Sequence, residues 1–269
     1  HLDIYGAPEI LLKAYEEFIS KTIPGGCIIL NERLQGMILP PSKRRLVYYG
    51  NSNAEACYQL VNQDGYCTTF HYQWGGVSLP NLTLNTPGEH NVENMTGALT
   101  AALSAGAPPD MLPKAVASYQ GVKRRFEIAY NQNGVIVVDD YAHHPTEIVA
   151  TINAARAMAP SHRLVVAFQP HLYTRTRDFL QGFADALGEA DIIYLTHIYP
   201  AREAPIPGVD CEHILTRIHA TKNKYVVPLY HIPEAITREI TPPVMILILG
   251  AGNIDAIIPE IISRLITKA

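Results

Sequence analysis

Residues Gly134 to Pro145 read GVIVVDDYAHHP. An apolar, β-branched run ends in two acids, Asp139 and Asp140. Tyr141, His143 and His144 follow, and Pro145 is suited to open a helix. A short continuous apolar run reads as a strand covered on both faces, and parallel α/β sheets bind ligands beyond the carboxyl ends of their strands. Asp favours turns and caps, so a single acid there would describe only how a strand stops. Two acids, a phenol and two imidazoles within six residues exceed that need and mark a candidate site.

The same pattern recurs on the carboxyl side. Val135–Val138, Leu164–Phe168, Ile192–Leu195, Tyr225–Leu229 and Val244–Leu249 read as strands. Pro145–Met158, Thr176–Leu187, Cys211–Ala220, Pro233–Glu239 and Ile254–Ile266 read as helices between and after them. Strict alternation predicts an open, mostly parallel, Rossmann-like α/β sheet. Polar groups return after each main strand: Gln169–Asp178 with His171, Arg175 and Arg177; His197, Tyr199 and Pro200–Glu203; then Gly250–Asn253. Two arginines flanking Thr176 suit carboxylate or phosphate recognition. Placed in the first turn of the expected helix they would oppose its dipole, which argues against a merely structural role.

Toward the amino end, Pro8–Ser20 reads as a helix and Cys27–Leu30 as a buried strand. Leu46–Tyr49, Ala56–Val61, Tyr66–Tyr72 and Val77–Leu84 are short β-like runs. Glu89–Ala105 is a helix whose first turns carry His90, Asn91 and Asn94. Asn at a helix start is usually a cap, while two asparagines one turn apart beside a histidine also suit a nucleobase edge. A second short helix follows Pro109–Asp110, and three cations, Lys123 to Arg125, mark a connector. The boundary falls in Gly121–Phe126, giving domains 1–122 and 123–269.

With 48% apolar and 17% charged residues, the 269-residue chain has the composition of a globular protein with a sizeable core. A net charge of -4 argues against a nucleic-acid partner. No run approaches the ~20 apolar residues of a membrane span, and His1–Gly6 does not resemble a signal peptide, so no membrane partner is expected. Four scattered cysteines favour free thiols in a reducing cytoplasm. Gly250-Ala251-Gly252 lacks the third glycine of a dinucleotide fingerprint, Asp255 standing there, so NAD is not expected. No GxxxxGK[ST] phosphate loop occurs. The opening on HLDIYG without Met suggests residues upstream.

HLDIYG, GEHNVENMTGAL, GVKRRFE, VVDDYAHHPTEI, FQPHLYTRTRDF and YPAREAPIPG run in this order from His1 to about Ile254. Together they resemble the Mur ligases, most of all the branch that joins L-alanine to UDP-N-acetylmuramate. The branch that recycles murein tripeptide shares the aspartate and paired histidines but differs in the QPH-x-YTRT segment. The resemblance implies the latter part of a central ATPase domain followed by the complete carboxyl-terminal domain. The UDP-substrate domain and P-loop then lie outside this sequence, which is expected to be inactive alone, with the missing amino-terminal half as a partner. ATP and Mg2+ are the implied cofactors. His1 matches a magnesium ligand; His90, Asn91 and Asn94 match the segment that holds adenine, which favours the nucleobase reading over capping. Arg125 matches an arginine that meets ATP phosphates, and Asp140 an aspartate engaging the ribose–phosphate region. Tyr141, His143, His144, His171, Arg175 and Arg177 resemble the pocket that places L-alanine and the acyl-phosphate. Leu172 departs from the family, where many members carry Arg, so a cation is expected to be missing from the crevice. The implied reaction is ATP-dependent ligation through an acyl-phosphate, with an imidazole accepting the amine proton. Two alternatives stay open: a non-catalytic nucleotide- or UDP-sugar-binding module, and half of a split ligase completed in trans.

Overall fold

Apolar runs and amphipathic stretches segregate into two units, His1–Gln120 and Gly121–Ala269. A computed structural model describes residues 2–38, 43–51, 53–221 and 223–268. His1, the expected metal ligand, lies outside the described residues.

The first unit begins with α1 (Leu2–Tyr5) and α2 (Pro8–Ser20). Strands β1 (Cys27–Asn31), β2 (Arg45–Gly50), β3 (Ala56–Asp64), β4 (Cys67–Trp74) and β5 (Val77–Leu84) follow, then α3 (Glu89–Ser104) and α4 (Leu112–Ser118). The five strands lie in chain order; β1 to β3 are parallel, and β3, β4 and β5 form an antiparallel meander. Inward residues Val47, Phe70, Tyr72, Leu82 and Leu84 pack with Val92 and Leu99 of α3 and with Leu112 and Val116 of α4. Helix α3 lies close to β2 because Gly97 has no side chain: a Cβ there would stand 3.0 Å from the Tyr49 ring.

The second unit is the sheet read from the sequence, with an added strand. It contains β6 (Glu127–Gln132), β7 (Val135–Asp140), α5 (Pro145–Met158), β8 (Arg163–Phe168), α6 (Tyr173–Asp178) and α7 (Leu180–Leu187). Then come β9 (Ile192–Leu195), α8 (Cys211–Arg217), β10 (Lys224–Val226), α9 (Ile232–Glu239), β11 (Val244–Leu249) and α10 (Ile258–Lys268). Strand order is β10-β9-β8-β11-β7-β6, parallel except for β6. All six residues of both β7 and β11 are buried, as strands covered on both faces require. Asp140 pairs with Leu249, Leu249 with Phe168, and Phe168 with Leu195. Four strands therefore end level, and their four following loops share one edge.

Three local expectations change. Strand β6 was not anticipated; it forms a hairpin with β7 through Asn133 (φ 53°) and Gly134 (φ 72°). Asn-Gly is a strong hairpin signal because both residues accept positive φ. The helix expected over Thr176–Leu187 starts at Tyr173 and breaks at Phe179 into α6 and α7. Arg175 and Arg177 consequently occupy the last turn of α6, where cations suit the helix dipole. The dipole argument for their function therefore fails. The strand expected over Tyr225–Leu229 stops at Val226, and Leu229–His231 is a single 3-10 turn.

Candidate active site

The carboxyl edge of β7 is set by Asp140. Its carboxylate is 5% exposed and accepts the N–H groups of Phe126 (2.9 Å) and Ala142 (2.8 Å) and the Thr151 hydroxyl (3.2 Å). Burial raises its pKa, opposed by those donors. Both oxygens are committed within the unit, so Asp140 brackets the β6 entrance, the β7 exit and α5. The neighbouring Asp139 is less well served. Its Oδ2 lies 3.5 Å from Arg124 Nε, and its buried Oδ1 has no hydrogen-bond partner. Burial pushes it up to about 6, against the opposing pull of Arg124.

Arg124, which sequence reasoning passed over for Arg125, joins the loops. Its guanidinium donates to the carbonyls of Gly250 (2.6 Å) and Gly252 (3.3 Å) and stands over the Tyr141 ring at 5.0 Å. Arg125 is exposed, 5.8 Å from the same ring and 3.9 Å from Glu147. The glycine turn is built for close approach: a Cβ on Gly252 would meet Gln169 Oε1 at 2.3 Å, and one on Gly250 the Gln169 carbonyl at 2.9 Å. Its two carbonyls face Arg124, which fits a packing turn.

The paired histidines take different roles. His144 is the N-cap of α5: its Nδ1 accepts the Thr146 N–H at 3.4 Å, and its ring meets Phe179 edge-on at 4.6 Å. Glu147 closes the capping box by accepting the N–H groups of His143 (3.0 Å) and His144 (3.2 Å). Burial lowers the His144 pKa, against the opposing pull of Glu147. His143 Nδ1 lies 2.8 Å from the Tyr141 carbonyl, which can only accept. Nδ1 therefore carries a hydrogen, and it also lies 3.3 Å from Glu147 Oε2. The ring is edge-on to Tyr141 at 5.2 Å and to His171 at 5.9 Å.

His171 brings in the loops after β8 and β9. It bridges to Tyr199 through the backbone and stacks on that ring at 5.7 Å. Arg175, 8% exposed, places Nη1 3.4 Å from His171 Nδ1. Arg177 does not join them in this arrangement; it is half-exposed and pairs with Asp178 at 2.7 Å. Leu172 is buried at 4% exposure with a φ of 72°. Position 172 thus points into the core, and the crevice cation expected to be lost there has no seat at that side chain.

In the first unit, the capping reading of Asn91 fails. Gly88 is the N-cap of α3 without a side-chain bond, while the Asn91 amide donates to the Pro87 carbonyl at 2.7 Å. His90 is partly buried beside it and Asn94 is exposed. Among the described residues, no group of three or more His, Cys, Asp or Glu stands together as a metal site.

Residues 124–252 match the family model described as Mur ligase, glutamate ligase domain. The UDP-N-acetylmuramate–L-alanine ligase of Trichlorobacter lovleyi is 39% identical over 261 residues, 94% of this chain and 57% of that protein. The chain belongs to the Mur ligase family. The like-named ligase of Koribacter versatilis is 37% identical over 281 residues, covering 100% of this chain and 60% of the relative. This member of the Mur ligases thus spans less than two thirds of the curated relatives it matches. The UDP-N-acetylmuramate–alanine ligase structure from Thermotoga maritima superposes over the whole chain and 58% of its own, with a TM-score of 0.78 at 24% identity, a likeness of fold. Among the described residues, no helix is long and apolar enough to cross a membrane.

Proposed function

We propose that this chain supplies the amine-side half of an ATP-dependent muramate–alanine ligase. In that reaction a carboxylate oxygen of UDP-N-acetylmuramate attacks the γ-phosphorus of ATP and ADP leaves. The nitrogen of L-alanine then attacks the acyl-phosphate carbon, phosphate leaves and the amine loses a proton. Charge on several anions must be offset while they are held in line, so catalysis is mostly positioning and electrostatics.

The observation that carries this reading is the contact of His143 Nδ1 with the Tyr141 carbonyl at 2.8 Å. With Nδ1 held in this way, the neutral form of the ring would present Nε2 as a base for an amine attacking an anionic acyl-phosphate, edge-on to His171, which itself lies 3.4 Å from the Arg175 guanidinium. His144 is spent on its helix and is not that base. Tyr141 lies within reach of both arginine heads, and the exposed Arg125, only loosely paired with Glu147 at 3.9 Å, is placed to meet a phosphate. Asp140 acts by holding these loops in place. Mg2+ would be held chiefly by the ATP phosphates and would offset their charge. His90, Asn91 and Asn94 remain the proposed adenine segment, although the Asn91 amide is engaged by its own loop. Cytoplasmic location accords with this substrate set.

The chain alone, given ATP, UDP-N-acetylmuramate and L-alanine, should release no ADP, since it has no GxxxxGK[ST] sequence. Joined to the part of the Trichlorobacter lovleyi enzyme outside the matched region, it should release ADP beyond one equivalent per enzyme only when L-alanine is added. His143→Ala should abolish that release and His144→Ser preserve it. Equal loss in both variants would sink the assignment.

A further inference from the structure

Helix α6 carries Arg175 into the crevice, yet it starts badly. Its N-cap, Leu172, has left-handed backbone (φ 72°) and makes no side-chain cap. Short helices leave their first N–H groups without internal partners. The missing cap comes from another loop. Glu203 Oε2 accepts the Thr174 N–H at 3.0 Å, and its Oε1 accepts the Thr174 hydroxyl. Glu203 lies beyond β9, on the loop whose Tyr199 stacks on His171. The same two loops are joined by Leu172 N–H to the Tyr199 carbonyl (3.0 Å) and by Tyr199 N–H to the Pro170 carbonyl (2.8 Å). Ala201, at φ 50°, turns the chain so that Glu203 reaches Thr174.

We propose that Glu203 is a positioning residue: it caps α6 from the neighbouring strand-end loop and thereby sets Arg175 beside His171. The inference rests on reading this edge as an anion-gathering site, and it reverses the simple electrostatic expectation. Removing an acid from beside cationic groups should strengthen anion binding; here its removal releases the buried arginine and weakens binding instead.

Arginine modification by phenylglyoxal, mapped by mass spectrometry on the full chain, reads Arg175 directly. In the unsubstituted protein Arg175 should react slowly and the half-exposed Arg177 fast. Glu203→Ala should speed Arg175 about fivefold, the population change expected from loss of an ordinary helix cap. Arg177 should be unchanged. Thr174→Val should act in the same direction, and Thr174→Ser should restore the slow rate, a rescue that a general loss of packing would not give. Slow Arg175 modification in both Glu203→Ala and Thr174→Val, or no difference between Thr174→Val and Thr174→Ser, would overturn the proposal. Inorganic phosphate should protect Arg175 in the unsubstituted protein and fail to do so in Glu203→Ala. Absence of protection with the Glu203 effect intact would leave Glu203 in its positioning role and remove the anion-gathering reading instead.

Discussion

At the amino edge of the second unit's sheet, Asp191 accepts the Leu164 N–H (2.7 Å) and the Arg156 guanidinium (3.1 Å). Although burial pushes its pKa up, those partners outweigh it and hold the carboxyl below its ordinary value. At the carboxyl edge, Asp139 is raised to about 6 with one oxygen unpartnered. Backbone follows the same division. The amino edge turns through Asn133 and Gly134, which accept positive φ readily, whereas the carboxyl edge forces Arg124, Phe126, Leu172 and Ala201 into it. A shallow depression of about 630 Å³ does open at the amino edge, lined by His162, Arg163, Asp191 and Thr221 among others. Asp191 there is already satisfied, although the buried Nδ1 of His162 has no partner. The amino edge spends its ion pair on stability, while the carboxyl edge gathers most of the strained backbone and of the imperfectly paired groups, Arg124 Nε, Asp139 Oδ1 and Gln169 Oε1, as functional edges do.

The comparison is broken most severely by substituting Asp140. Asp140→Ala leaves two buried N–H groups without an acceptor and should destabilise the unit by roughly 3–5 kcal/mol. Thermal unfolding followed by circular dichroism should show a fall of roughly 10 °C or more. A change of a degree or two would mean that water replaces the carboxylate and that the bracket is unimportant.

The pH response of Asp139 sharpens the contrast. A carboxyl whose folded value is raised binds its proton more tightly when folded, so its contribution is complete below pH ~4 and is lost as pH rises through about 6. The loss is about 2–3 kcal/mol. Denaturant unfolding at pH 4 to 7 should show this decline, and Asp139→Asn should flatten it and gain stability at pH 7. An unchanged slope in Asp139→Asn would place the titration elsewhere.

A smaller effect separates the two histidines. His144→Ala should cost about 1 kcal/mol, as loss of a cap does, and His144→Ser should recover most of it. Chemical denaturation midpoints decide this, and full stability in His144→Ala would deny the capping role. Least of all, Arg156→Met at the amino edge should cost under about 1 kcal/mol, because that pair is more than a third exposed. A larger loss there would erase the distinction between the edges.

Much of this was legible in the residues. Continuous β-branched runs such as Val135–Val138 announce doubly covered strands, and their spacing by amphipathic helices leaves little choice but a parallel sheet. The cluster at Asp139–His144 and the His171–Arg175 segment were visible as chemistry at strand ends. Glu147, Thr151 and Arg124 were not, because their importance lies in what they reach. A glutamate three residues after His144 is a capping-box signal, but histidine is an uncommon cap and hid it. Strand β6 had a signal in Asn133–Gly134 that was not used.

Order of elements, fold class and the residue types at the edge follow from local pattern, since burial on two faces and turn chemistry act over a few neighbours. Which histidine keeps a free nitrogen, which arginine is buried, and which acid is satisfied could not be read that way. Apart from the local contact of His143 with the Tyr141 carbonyl, those outcomes depend on carbonyls, N–H groups and carboxylates delivered by other strand ends, and only tertiary pairing brings Glu203 or Gly250 within hydrogen-bond distance of their partners.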